Sequence, residues 1–151
     1  MREIDRIIVS ALILSKEGKM LLGKKDPLKG GVYPDCWHLP GGGVDEGEEL
    51  RRALAREVEE EVGLNIALYR VAPIHLKGSG VSEKTLKTGE RVICNMEFNR
   101  FEVLIDEQTA DEIELKLGGD LIEARWFTKK ELAKIKQIPG GKEFFRAMGY
   151  I

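Results

Sequence analysis

The 151-residue chain has two cysteines, two histidines and no long apolar run, and each shortage closes off a class of protein. Cys36 and Cys94 are far apart and neither belongs to a C-x-x-C pair. A disulfide-stapled secreted scaffold is therefore excluded, and free thiols in a reducing cytoplasm are expected. With His38 and His75 as the only histidines, a zinc site lacks its ligands, and both rings are read as structural or surface groups. The most apolar segment, Ile7–Leu14, follows Arg2 and Arg6 in loose imitation of a signal peptide. It is too short to cross a bilayer, and a polar turn, not a small-residue cleavage site, comes after it. No repeat or low-complexity linker divides the chain, so a single domain over residues 1–151 is expected. Net charge is scarce as well. Lys+Arg 24 against Asp+Glu 26 leaves -2, which argues against wholesale disorder and against general binding of polymeric nucleic acid.

What is present has a clear order. Ile7–Leu14 reads as a strand, with a turn at Gly18 and a returning strand from Met20. Asp26–Asp35, with Pro27, Gly30, Gly31 and Pro34, reads as a loop, and Trp37–Leu39 as a short extended piece. Glu48–Val62 has no Pro or Gly, and Leu50, Leu54, Val58 and Val62 recur every four residues, so it is expected to be a helix that Gly63 stops. Leu64–His75 and Arg91–Ile105 read as strands around a Gly/Lys/Ser loop at Lys77–Glu90, and Ile122–Phe127 as another. Thr128-Lys129-Lys130-Glu131 matches a capping box for a helix toward Lys136, and a last short helix is expected near Lys142–Met148. Strands, helix, strands, then helices predict an α/β sandwich around a mixed sheet.

The chemistry concentrates between Gly42 and Leu64. Glu57, Glu60 and Glu61 share an arc of about 100° on the expected helix. Like charges one turn apart repel, and Glu61 projects near the edge of the apolar stripe, where a carboxylate is partly desolvated. A hard divalent cation relieves both costs, and oxygen-only ligands favour Mg2+, with Mn2+ as a substitute, over zinc. Mg2+ completes its shell with water and substrate phosphates, which points to phosphate chemistry. Gly41, Gly42, Gly43 and Gly47 precede the helix, but no Gly-Lys-Ser/Thr ends the loop, so it is not a Walker A motif. Residues 45–61 carry a net charge of -5 and the rest of the chain +3, an acidic cation site on a mildly basic body that suits an anionic substrate.

Gly42-x5-Glu48-x7-Arg56-Glu57-Val58-x-Glu60-Glu61-x-Gly63-Leu64 resembles the complete Nudix box. Trp37-His38-Leu39-Pro40-Gly41-Gly42 before it and Arg125-Trp126-Phe127 after it are also similar to Nudix (MutT-like) domains. The resemblance implies the Nudix fold, an α/β/α sandwich around a mixed β-sheet, and hydrolysis of a nucleoside diphosphate linked to another moiety. It implies Glu57, Glu60 and Glu61 as metal ligands and catalytic groups, with Glu48 and the carbonyl side of Gly41 as auxiliary ligands. Arg56 would orient a box glutamate, Gly42 would shape the loop, and Val58 and Leu64 would pack in the core. Glu57 or Glu61 are the candidate bases within the box. Asp120 and Glu123 are candidates outside it, ahead of Glu112 and Glu114. Family subgroups specific for ADP-ribose or dinucleoside polyphosphates carry a proline or tyrosine downstream of the box. Ser79-Gly80-Val81-Ser82 stands in that window here, which leaves a (d)NTP pyrophosphohydrolase as the leading reading. A nucleotide sugar or another nucleoside-diphosphate derivative is the alternative substrate. A non-catalytic nucleotide-sensing module would have lost box glutamates, and an isomerase acting on an isoprenoid diphosphate would want a catalytic cysteine.

Substrate contacts rest on residue character alone. Lys24 and Lys25, ending the second strand, and Lys77, Lys84, Lys87 and Arg91 in the central loop are the candidate phosphate contacts. Trp37, Tyr33 and Phe98 are the candidates to stack on a base, and Trp126 is assigned to the core. The expected partner is a small nucleotide, with no membrane; a homodimer is compatible with the resemblance.

Overall fold

Alternate side chains of the first strand enter two different cores, and that split sets the layers. In the computed structural model, which describes residues 1–29, 33 and 35–151, β1 runs over Arg2–Leu14. Val9, Ala11 and Ile13 point to one face of the sheet and Leu12 to the other. A strand's side chains alternate, so a continuous apolar run must be covered on both faces.

Among the described residues the sheet has seven strands: β1, β2 (Met20–Lys25), β3 (Trp37–His38), β4 (Gly41–Gly43), β5 (Arg70–Thr85), β6 (Arg91–Leu104) and β7 (Leu121–Phe127). β1 pairs in parallel with β6 over its whole length, from Arg2 opposite Val92 to Leu14 opposite Leu104. All other pairings are antiparallel, so the sheet is mixed. The second edge of β1 is shared. β2 meets it only at Leu14–Met20 and then departs to pair with β3 and β7, while β4 occupies the vacated stretch opposite Ile8–Ser10. The three glycines thus sit in the fork of a splitting sheet.

The first core lies under α1 (Leu50–Val62). Leu54, Val58 and Val62 are fully buried against Val9, Ile13, Leu21 and Val103, and Leu64 joins them. Each such side chain contributes about 1.5–3 kcal/mol. Gly63 ends the helix in the left-handed region at φ 74, donating its N–H to Glu59 O at 3.0 Å. The opposite core gathers Leu12, Met20, Leu22, Trp37 and Phe127 beneath α2 (Lys129–Leu132) and α3 (Gly141–Ala147), which contribute Leu132, Phe144 and Phe145. Two helical layers around one mixed sheet match the expected architecture.

The structure departs from the expected elements in several places, among them the start of the Leu64 strand, where Ile66–Leu68 is a turn of 3-10 helix and β5 begins only at Arg70. The strand expected to end at His75 continues as β5 to Thr85, so Lys77–Glu90 is not a loop; the turn is only Leu86–Glu90. Gly78-Ser79-Gly80 mimics loop composition, but β6 supplies partners from Gly78–Phe98 to Thr85–Arg91, and a bulge between Ile74 and Gly78 absorbs the mismatch. The Thr128 capping box forms as expected, yet α2 stops at Leu132 instead of reaching Lys136. Pro27–Lys29 makes a turn of 3-10 helix in the expected loop, whose Gly30, Gly31 and Pro34 lie outside the described residues. No helix among the described residues is long and apolar enough to cross a membrane.

Candidate active site

The carboxylates occupy the last two turns of α1, where the helix passes behind β4. Glu61 is only 5% exposed, because it borders the apolar stripe that holds the helix to the sheet. Its Oε1 accepts the Gly41 amide at 2.8 Å. Burial lifts its carboxyl to about 7; the Gly41 hydrogen bond and Lys25 oppose that rise, and Glu57 and Asp120 add to it. Glu57, one turn earlier, is also raised by burial, against the pull of Arg56. Glu60 projects outward, its carboxylate 3.7 Å from Arg56.

Arg56 is the tie that fixes this end of the site. Its Nε and Nη2 donate to the two oxygens of Glu48 at 2.9 and 2.8 Å, and Nη1 donates to Glu57 Oε1 at 2.9 Å. Nη2 also reaches Gly43 O at 3.0 Å, so one guanidinium joins helix, loop and glycine strand. The pair holds the Glu48 carboxyl well below its ordinary range, at about 2. Glu48 Oε1 further accepts the Asp45 amide at 3.0 Å. Both oxygens of Glu48 are engaged by Arg56, so here it anchors the arginine.

The glycines of β4 are dictated by close approach. A Cβ on Gly42 would stand 2.5 Å from the Glu57 carboxyl carbon. On Gly43 it would overlap the Arg6 guanidinium, and on Gly41 the Val9 carbonyl. Glu57 therefore lies against one side of this strand and Arg6 against the other.

On the Arg6 side, opposite α1, a cavity of about 220 Å³ opens between the sheet and the start of α3. Arg6, Lys25 and Lys84 line it. None of the three forms an ion pair with a described residue. Burial and the neighbouring Arg6 and Lys25 charges lower the basicity of Lys84, so the three cations share one field. Lys25 also acts on Glu57 and Glu61, which places it between the cations and the carboxylates. No Asp or Glu lines the cavity among the described residues.

The structure sorts the remaining candidates. Lys25 reaches the site, but Lys24 pairs with Asp35 at 3.2 Å and lies 4.9 Å over the Trp37 ring. Arg91 bonds Glu83 and Thr85 near the hairpin turn and does not line the cavity among the described residues. Lys77 is exposed on the outer strand β5, at the bulge, and lines a neighbouring depression that shares Phe98 and Arg100 with the cavity. Asp120 lies close enough to raise Glu61, whereas Glu123 pairs with Arg125 at 3.0 Å. Glu112 caps Thr109. Tyr33, Trp37 and Phe98 line the cavity, with Trp37 packed edge-on against Phe127 at 4.9 Å. Trp126 is half-buried against the α1-side core. His38 is enclosed, donating from Nδ1 to Leu39 O at 2.8 Å in its neutral form, and His75 is exposed. Arg6 and Arg100, both lining the cavity, are absent from the sequence candidates; their signal is a cation at an inward position of an alternating strand.

Glu57, Glu60 and Glu61 with the Gly41 backbone make an all-oxygen, anionic donor set of the kind hard divalent cations take. Among the described residues no three ligating side chains converge into a ready cage. Glu57 is turned to Arg56 and Glu61 to Gly41. The fit to a divalent cation rests on the clustered, desolvated charges that raise both carboxyls.

The model of the NUDIX domain matches residues 5–148. Nucleoside triphosphatase NudI of Escherichia coli is 31% identical over 128 residues, covering 85% of either chain. RNA pyrophosphohydrolase of Hydrogenovibrio crunogenus is 43% identical over 63 residues, which cover 42% of this chain and 34% of that one. Among solved structures, the NUDIX domain of Shewanella oneidensis NrtR, complexed with ADP ribose, superposes with a TM-score of 0.70. It is 14% identical, with 95% of this chain and 85% of that one covered, and so attests the fold alone.

Proposed function

The chain belongs to the Nudix family and is a hydrolase of phosphorus-containing anhydrides, and from that premise we propose that it cleaves nucleoside triphosphates with Mg2+ as cofactor. One observation carries the reading. A thin glycine strand separates the raised carboxylates of α1 from three cations that form no ion pair with a described residue. A phosphate chain laid along that strand meets negative-charge acceptors on one side and cation-binding oxygens on the other. The similarity to NudI over 85% of the chain favours a triphosphate over other anhydrides.

Glu57, Glu60 and Glu61 would hold the cation, which when bound neutralises phosphate oxygens and acidifies water. Arg56 keeps Glu57 turned toward β4, and the Gly41 amide fixes Glu61 Oε1. The other oxygen of Glu61 is left to take a proton from an attacking water, and Glu57 is the second candidate for that role. Lys25, Arg6 and Lys84 bind the phosphates and hold them against Gly42–Gly43.

The test is hydrolysis of a panel of nucleoside triphosphates, nucleotide sugars and dinucleotides with Mg2+, with phosphate and diphosphate release measured. Turnover of triphosphates is expected, with losses of at least about 100-fold in Glu60→Gln and Glu61→Gln. No turnover by the wild type, or full turnover by both variants, would sink the proposal.

A further inference from the structure

The cavity has a second part, walled by aromatic rings. On β6, Phe98 and Arg100 face it, in register with Ile8 and Ser10 of β1 and so level with the glycine strand, six or more residues along from Val92, the partner of Lys84. The Arg100 guanidinium lies 4.4 Å from the Phe144 ring centroid and 5.4 Å from that of Phe98. A Cβ on Gly78 would stand 2.5 Å from its Nη1, so the guanidinium lies close over this glycine. It is partly buried and makes no hydrogen bond or ion pair with a described residue. A planar fork of donors is thus held by two rings with its bonding capacity unused.

Building on the triphosphate reading, we propose that Arg100 reads the base of the substrate and selects a keto group over an amino group at its hydrogen-bonding edge. The aromatic surroundings suit a flat ring better than a hydrated phosphate, and Arg6, Lys25 and Lys84 already serve the phosphates. A guanidinium is a donor only. It pairs with the acceptor edge of a 6-oxopurine or with the oxygen of a 4-oxopyrimidine. Against a 6-aminopurine or 4-aminopyrimidine it keeps a ring-nitrogen acceptor but meets a donor at the exocyclic position, so the second bond of the fork is lost. No carboxylate lines the cavity to accept that amino group, so Arg100 pairs less well with the amino member.

The experiment compares isosteric pairs, inosine against adenosine triphosphate and uridine against cytidine triphosphate, with Mg2+. The wild type should prefer the keto member of each pair by about tenfold or more in kcat/KM, chiefly through KM. Arg100→Lys keeps the charge but loses the planar fork, and Arg100→Met loses both; each should bring the ratio to about one. A loss of stability in these variants would lower both members of a pair alike and leave the ratio standing. The inference is overturned if the wild type shows no keto preference or if Arg100→Lys retains it. Failure of the wild type to hydrolyse any triphosphate overturns the underlying reading, and this one with it.

Discussion

Replacing Glu61 by glutamine should stabilise the metal-free protein at pH 8 while removing its activity. Glu61 is 5% exposed, and burial carries its carboxyl from 4.5 to about 7. That difference corresponds to about 3 kcal/mol between the neutral and charged forms. The folded state holds the proton more tightly than the unfolded one. The favourable contribution of neutral Glu61 is therefore full below about 4.5 and lost as pH rises through about 7. Glutamine keeps the shape and the acceptor for the Gly41 amide but never ionises. At pH 8 in EDTA the variant should gain about 3 kcal/mol, or about 6–12 °C in melting temperature for a chain of this size. At pH 4.5 the gap should nearly close. Urea and thermal melts at the two pH values measure this directly. Addition of Mg2+ should raise the melting temperature of the wild type and leave the variant nearly unmoved. A variant equal to or weaker than the wild type at pH 8 would refute the reasoning.

The same carboxyl makes divalent-cation binding compete with protons, so Mg2+ affinity should fall by about tenfold per pH unit below about 7, measurable by calorimetry. Gly42→Ala pushes a methyl into the Glu57 carboxylate and should lower kcat/KM by about 100-fold, with Mg2+ affinity falling in step. Lys25→Met should raise KM for triphosphates by about tenfold or more, because Lys25 lies between the cations and the carboxylates. Lys77→Ala and Arg91→Ala should leave KM within about twofold, since both stand away from the glycine strand; a larger effect in either would show that the hairpin reaches the substrate.

The helix and its carboxylates were legible because every signal there is local. Spacing places Glu57, Glu60 and Glu61 on one face, the four-residue stripe fixes which face is buried, and Gly63 supplies the stop. The desolvation of Glu61 followed from its distance to Leu54. The cavity was not legible for the opposite reason. Arg6, Lys25, Lys84 and Arg100 come from four different strands, and what brings them together is the register of β1 against β6 and of β6 against β5. A glycine-rich edge strand reads as a loop until its partner is known, so composition alone could not separate Lys84 from Lys77 and Arg91. That Arg56 takes both oxygens of Glu48 was not legible from spacing, because the pairing depends on how the loop folds back on the helix.

The long parallel ladder between β1 and β6 has a consequence for how the molecule is made. Arg2 finds Val92 only after about 90 further residues have been synthesised, a wait of about 5–18 s at 5–20 residues per second. Until then β1, the most apolar segment of the chain, lacks its principal neighbour, and the glycine strand has no settled edge to join. α1 can coil early from its own contacts, but its carboxylates have nothing to face. The catalytic apparatus is thus among the last parts to form, and chains truncated before β6 should expose β1 to chaperones or to aggregation without binding metal productively.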